Sequence, residues 1–444
     1  MTIGTHAATA ARHASGPATR EHITTGVTGG AWRASITEWG AVEPWGVGAP
    51  LDWHIAADDR WHSPQHEAAV RQRRIEGTAV VETRVRIPDG DAVQRIYSVP
   101  DHGGLTIIEV ENASPLAIAV AFTRGGLLSV RPPSAPIEGI SLPPGSVAFP
   151  VGHHATLTVA VPHRDNGPGA LPGGLPTAAG VVRGWSTTVE RAGRLLLPDA
   201  ALAERVVAAR CELALVGPED PAADPVGFLL AIGQLVRMGE RPEPWVIDVA
   251  QALESAARSA PRDWALAAAI DAADHVLAVA GETRARRDLV AFRAAMQPVR
   301  ELPARAPAEH ARLVAWVELL LVTARTGAAQ LLPRGLPAGW EGDNFEVYGV
   351  PTGATSSLSF AIRWHGARPA VLWEQTVAEG PLALSSPAIA PEWCSSELKG
   401  EALWPQPAGV TIPQPAPAAT PEAPTGNAPP TPPGEPAGEG GSFS

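Results

Sequence analysis

The sequence predicts an α+β protein of several domains: an N-terminal antiparallel β-sandwich, a central α-helical hairpin domain and a short C-terminal β-segment. Three observations predict it. Residues 79–87, AVVETRVRI, alternate apolar and charged side chains from Val81 onward, the period-2 pattern of a half-buried strand. From Pro198, apolar residues recur at helical spacing behind Asp caps and ahead of glycines. After Leu332 the β texture returns, most clearly in SFAIRWHGARPAVLWEQ, residues 359–375. At 444 residues the chain exceeds one ordinary core, so about two or three domains are expected.

Residues 1–26 are small and polar without periodicity and read as a disordered N-terminus. The sandwich spans 27–195. Within it Asp89-Gly90-Asp91 turns the 79–87 strand into Ala92–Val99, a hairpin signature. Leu105–Glu111, Leu116–Phe122, Gly145–Pro150 and Ala155–Val161 supply further strands between Gly, Pro and Asn turns. Pro162–Gly180 is a turn-rich linker, and Gly184–Leu195 reads as a last strand pair closing the sandwich.

The helical domain spans 196–330. Asp199 caps its first helix, and Asp224-Pro225 is a cap followed by a first-turn proline for Val226–Met238. Trp245–Ser259, Asp263–Ala280, Thr283–Met296 and Ala308–Thr326 follow, making six helices with short connections, or three antiparallel hairpins. The C-terminal β-segment spans 331–404. In its hairpin Phe360, Ile362 and Trp364 share a face, as do Val371 and Trp373. A turn at His365–Arg368 buries Trp364 with Trp373 and leaves Arg363 and Glu374 outside, near enough to pair. Residues 405–444 form a disordered Pro-rich tail able to present extended segments to protein partners.

Composition narrows the function. A net charge of −12 argues against nucleic acid and anionic membranes as partners, which an acidic surface repels. Two cysteines, Cys211 and Cys394, are too few and too far apart for a cysteine zinc site. No signal-type segment or apolar run of membrane-spanning length is present, so the expected location is the cytoplasm. HExxH, GxSxG and the phosphate-loop pattern are all missing. No cofactor and no metal are expected.

Tryptophan is the unusual entry in the composition, 14 against 2 Tyr. Trp32, Trp39, Trp45, Trp53 and Trp61 crowd one short window. Stacked indoles grip sugar rings, although large aromatics serve more often as core anchors. Asp58-Asp59-Arg60-Trp61-His62 is the densest polar-aromatic cluster, readable as a sugar-binding loop or as an edge strand with solvated ion pairs. His62 and His66 stand four apart, but the proline between them spoils a helical metal pair. Asp271 and Asp274 lie three apart on one helix face beside His275 and are the candidate acid/base pair. A solvated helix face with i, i+3 polar neighbours is the more economical explanation of them. His365, at the turn of the C-terminal hairpin, completes the candidate ligand contacts.

The order sandwich, helical hairpins, C-terminal β-segment resembles actinobacterial proteins related to the six-hairpin glycosidases, the glucoamylase and glycogen-debranching-like group. The residues that carry the resemblance are Thr78–Pro88 and Val110–Pro115 in the sandwich. Leu331–Pro333, Trp340, Glu346-Val347, Phe360–Gly366, Pro369–Glu374 and Gly400–Leu403 carry it in the C-terminal block. It implies an (α/α)6 toroid of twelve helices, whereas 198–330 has room for about six at ordinary helix length. No catalytic acid of the family maps onto a matching motif. The resemblance therefore implies a truncated or degenerate relative that is non-catalytic and associated with carbohydrate. The alternatives are an active glycoside hydrolase using helical-domain carboxylates and a non-enzymatic interaction scaffold.

Overall fold

The computed structural model describes residues 23–407, apart from 47, 135–136, 165–169 and 379. The chain is α+β, with antiparallel sheets at both ends of the described sequence and seven α-helices between them. Both terminal low-complexity segments lie for the most part outside the described residues. The expected disorder of 1–26 fails at its end. Ile23–Gly26 is a strand paired with Arg33–Ile36, held by buried Thr25 and by the Thr24 N–H, which donates to Glu212 at 3.1 Å.

Two larger sheets follow. The first runs Val147–Val151, Ile118–Phe122, Trp53–Ala56, Trp61–His62. The second runs Leu128–Ser129, Thr156–Pro162, Leu105–Asn112, Gly90–Val99, Val81–Ile87, Val70–Arg74. Period-2 patterning sends Val81, Val85 and Ile87 into a core shared by both sheets, together with Trp53, Ile55, Val120 and Phe149. The expected hairpin turn sits at Pro88-Asp89, with Ile87 opposite Gly90 and Asp89 at φ 57°.

The helices are α1 (Ala178–Glu190), α2 (Ala200–Val216), α3 (Pro225–Arg237), α4 (Val246–Ser259), α5 (Trp264–Val279), α6 (Thr283–Met296) and α7 (His310–Leu321). Their starts follow the cap chemistry of the sequence. Asp199 accepts from Leu202 N, Asp224 from Gly227 N and Asp263 from Ala265 N, each at about 3 Å. α3 and α5 are apolar around most of their circumference and accordingly lie at the centre of the helical core. Gly233 lets them meet, since a Cβ there would stand 2.7 Å from that of Ala272.

Two expectations about the helices need correction. Gly184–Leu195 is not a strand pair. Its first half belongs to α1, capped by Thr177, whose Val182 covers the outer face of the six-stranded sheet beside Tyr97, Val99 and Ile107. Its end, Arg194–Leu196, pairs with Phe345–Pro351. The helix expected to reach Thr326 stops at Leu321, where β-branched Val322 and Thr323 open the strand Val322–Arg325. That strand turns at Gly327 (φ +73°) into Ala328–Leu331.

The C-terminal strands form a five-stranded sheet, Arg194–Leu196, Phe345–Pro351, Ser357–His365, Arg368–Thr376, Lys399–Leu403. A four-stranded sheet, Val322–Arg325, Ala328–Leu331, Ala383–Ser386, Ala390–Ser395, adjoins it and contains one parallel pairing. Both share one apolar core with the helices. In the 357–376 hairpin Trp373 is buried opposite Phe360 and seats its ring on Gly400. Trp364 is only half-buried, opposite Pro369, and donates to Asp343 O at 3.0 Å. The expected Arg363–Glu374 pair does not form. Arg363 bonds Glu346 on the neighbouring strand, while Glu374 sits opposite Ser359 with Lys399 at 3.8 Å.

α2 ties the helices to the N-terminal sheets. Its Glu212 pairs with Arg74, and its Leu215 carbonyl accepts from Arg33 Nε at 2.5 Å. No helix among the described residues is long and apolar enough to cross a membrane.

Candidate functional site

The Asp58–His62 cluster occupies the turn between Trp53–Ala56 and Trp61–His62. Its members largely satisfy one another. Arg60 grips Glu67 through two bonds at 2.6 and 3.0 Å, holding that carboxyl below its ordinary range. Buried His62 contacts Asp59 at 2.9 Å and Glu67 at 3.2 Å, and Trp61 donates to Glu138 O. Asp58 is exposed. The cluster is an edge-strand ion network.

The N-terminal tryptophans are likewise engaged. Trp53 is buried and donates to Trp39 O, Trp39 donates to Asp52, and Trp45 to Ser35. Trp32 stacks on His163 with ring centroids 4.1 Å apart. His365 is exposed at its turn.

The structure brings Asp271, Asp274 and His275 together at a cavity of about 710 Å³. α3, α5, α6 and α7 form one wall; the loop 351–356 and the segment around Pro381 form the other. The two aspartates project from α5 toward α6, an antiparallel neighbour joined by a short loop. Arg286 Nε donates to Asp274 at 2.7 Å, and Arg293 Nη1 to Asp271 at 2.5 Å. Arg300 adds a 3.0 Å bond to Asp271.

Deeper in, Glu318 of α7 accepts two bonds from Arg237 at 2.7 and 2.8 Å, one from Arg210 at 3.1 Å and two from Gln234 at 3.2 and 3.3 Å. Burial pushes the Arg210 guanidinium down to about 10, with Glu318 pulling the other way. His275 Nδ1 lies 2.6 Å from the Ala354 carbonyl. A carbonyl only accepts, so Nδ1 carries the proton and Nε2 of the neutral ring is an acceptor. Burial lowers the pKa of this imidazole, favouring that neutral form.

Five arginines (237, 286, 293, 300 and 325) line the cavity against three carboxylates (271, 274 and 318), a formal +2 in a chain of −12. No tryptophan lines it. Among the described residues no group of three His, Cys, Asp or Glu has the arrangement to hold a metal. Cys211 is buried, with its thiol pushed up to about 12, and Cys394 is exposed elsewhere.

Sequence reasoning found Asp271, Asp274 and His275 but missed the arginines, Glu318 and Thr352. One signal was there to read. Arg286 and Arg293, two helical turns apart on α6, are placed to meet two carboxylates on an antiparallel partner. The 351–356 loop carried no such signal, because only the fold carries it to α5. The protein-family models contain no match to this chain, and no curated protein matches it significantly.

Proposed function

We propose that the chain is a non-catalytic, carbohydrate-associated protein that holds a small ligand in the cavity between the helices and the C-terminal sheets. The observation that carries this reading is the arginine engagement of Asp271 and Asp274 at the cavity wall. Hydrolysis of a glycosidic bond needs two carboxyl groups free to flank it, one of them able to donate a proton. Here both are committed to guanidinium groups, while the volume suits a ligand of one or two sugar rings. The reading is consistent with a sandwich and partial helical toroid of the six-hairpin glycosidase kind. Against stacking on indoles, the cavity offers hydrogen bonds and charge instead.

A hydrolase is the second reading, favoured by the fact that Asp271 and Asp274 line the same cavity. Calorimetric titration with glucose, trehalose, maltooligosaccharides and sugar acids, run beside a reducing-sugar assay, separates the two. Heat of binding without turnover supports the binding protein. Turnover abolished by Asp271→Asn or Asp274→Asn establishes the hydrolase, and silence from every saccharide removes the carbohydrate reading.

A further inference from the structure

We propose that the cavity selects a sugar or small polyol carrying an anionic group, a carboxylate or a phosphate; the inference rests on the cavity being the ligand site. Three of its lining residues each leave one buried polar atom without a partner: Arg237 Nη1, His275 Nε2 and Thr352 Oγ1. Buried polar atoms are normally paired, and each unpaired one costs stability that a bound group recovers. The three atoms differ in what they ask for. Arg237 is held to Glu318 through Nη2, so its Nη1–H is a charged donor seeking an oxygen. His275 Nε2, with Nδ1 committed to Ala354, is an acceptor seeking a hydroxyl. Thr352 supplies a hydroxyl that serves either way.

An inorganic anion without a hydroxyl group, such as chloride or sulfate, leaves the imidazole unsatisfied, and a neutral sugar leaves the excess positive charge uncompensated. A hydroxylated anion answers both. The charge of the site points the same way, because the +2 lining stands out within an acidic chain. Arg325 adds an exposed guanidinium at the cavity edge with no ion-pair partner among the described residues. The loop opposite the arginines is built of small and hydroxyl-bearing residues, Thr352-Gly353-Ala354-Thr355-Ser356, which admit a polar ligand close to the backbone.

Calorimetric titration of the full chain at low ionic strength with glucose, glucuronate, glucose 6-phosphate and inorganic phosphate tests this. At least one of the two sugar anions is expected to bind about tenfold tighter than glucose, and added salt to erode that advantage. Thr352→Val and Arg325→Gln are expected to weaken that anion about threefold or more without lowering the melting temperature of the free protein, since neither breaks an ion pair of the fold. The ranking of glucuronate against glucose 6-phosphate assigns the anionic group. Glucose binding as tightly as both sugar anions overturns the charge preference and leaves the carbohydrate reading intact. Inorganic phosphate matching glucose 6-phosphate, with no binding of glucose, keeps the anion site and overturns the carbohydrate reading. Silence from all four probes overturns both.

Discussion

Arg293 of α6 donates to Asp271 of α5 at 2.5 Å, and one helical turn along α5 Asp274 receives Arg286. These pairs tie the α5–α6 hairpin together at the mouth of the cavity, and they are partly exposed. Replacing Asp271 by Asn is therefore expected to cost only about 1 kcal/mol or less in urea denaturation. It also raises the formal charge of the cavity by one unit, so an anionic sugar is expected to bind tighter to the variant. Weaker binding of that ligand would make Asp271 a ligand contact instead.

Glu318 behaves differently because it is buried. It accepts from Arg210 and Arg237, and Arg210 is almost wholly enclosed. Glu318→Gln leaves two guanidinium groups in the helical core without their counter-charge, an expected loss of about 3–5 kcal/mol. Chemical denaturation monitored by far-ultraviolet circular dichroism measures it. A loss below 1 kcal/mol would mean that water reaches the site.

His163 predicts a pH dependence. It stacks on Trp32, its Nε2 lies 2.8 Å from Thr106 Oγ1, and burial with nearby Arg33 pushes its pKa down to about 4. The unfolded histidine takes up a proton near pH 6.5, before the folded one does. Stability is thus complete above about pH 6.5, falls as the pH drops toward 4 and is flat below. Discounted for partial exposure, the loss is expected to be about 2 kcal/mol. His163→Gln is expected to flatten this part of the stability profile; an unchanged slope would assign it to other groups.

Trp373 lies directly over Gly400 on the adjacent strand, where an added Cβ would come within 2.5 Å of the indole. Gly400→Ala is expected to displace the ring and cost about 1–3 kcal/mol, with a changed near-ultraviolet tryptophan spectrum. A wild-type spectrum and melting temperature would show that the hairpin yields without strain.

Local chemistry made most of the elements legible. Asp199, Asp224 and Asp263 cap the helices they precede, and the 79–99 hairpin turns where Asp89-Gly90 falls. Illegible were features decided by distant partners. Val182 and its neighbours form a helix because the outer sheet face around Tyr97 needs a cover, and Arg363 pairs with Glu346 because the hairpin register sets Glu374 opposite Ser359, while Phe345–Pro351 flanks the other side of Arg363's strand. The site was half legible for the same reason. Asp271 and Asp274 announce themselves by their i, i+3 spacing, whereas Thr352 reaches the cavity only through the fold of the C-terminal sheet.

The most direct measurement is calorimetric binding of glucose 6-phosphate and glucuronate to the wild type and to Ala324→Trp, which projects an indole at the cavity wall from the Val322–Arg325 strand. The expected result is binding without turnover by the wild type and at least about tenfold weaker binding by a variant that still folds. Equal affinity in both proteins would contradict the assignment of this cavity as the ligand site.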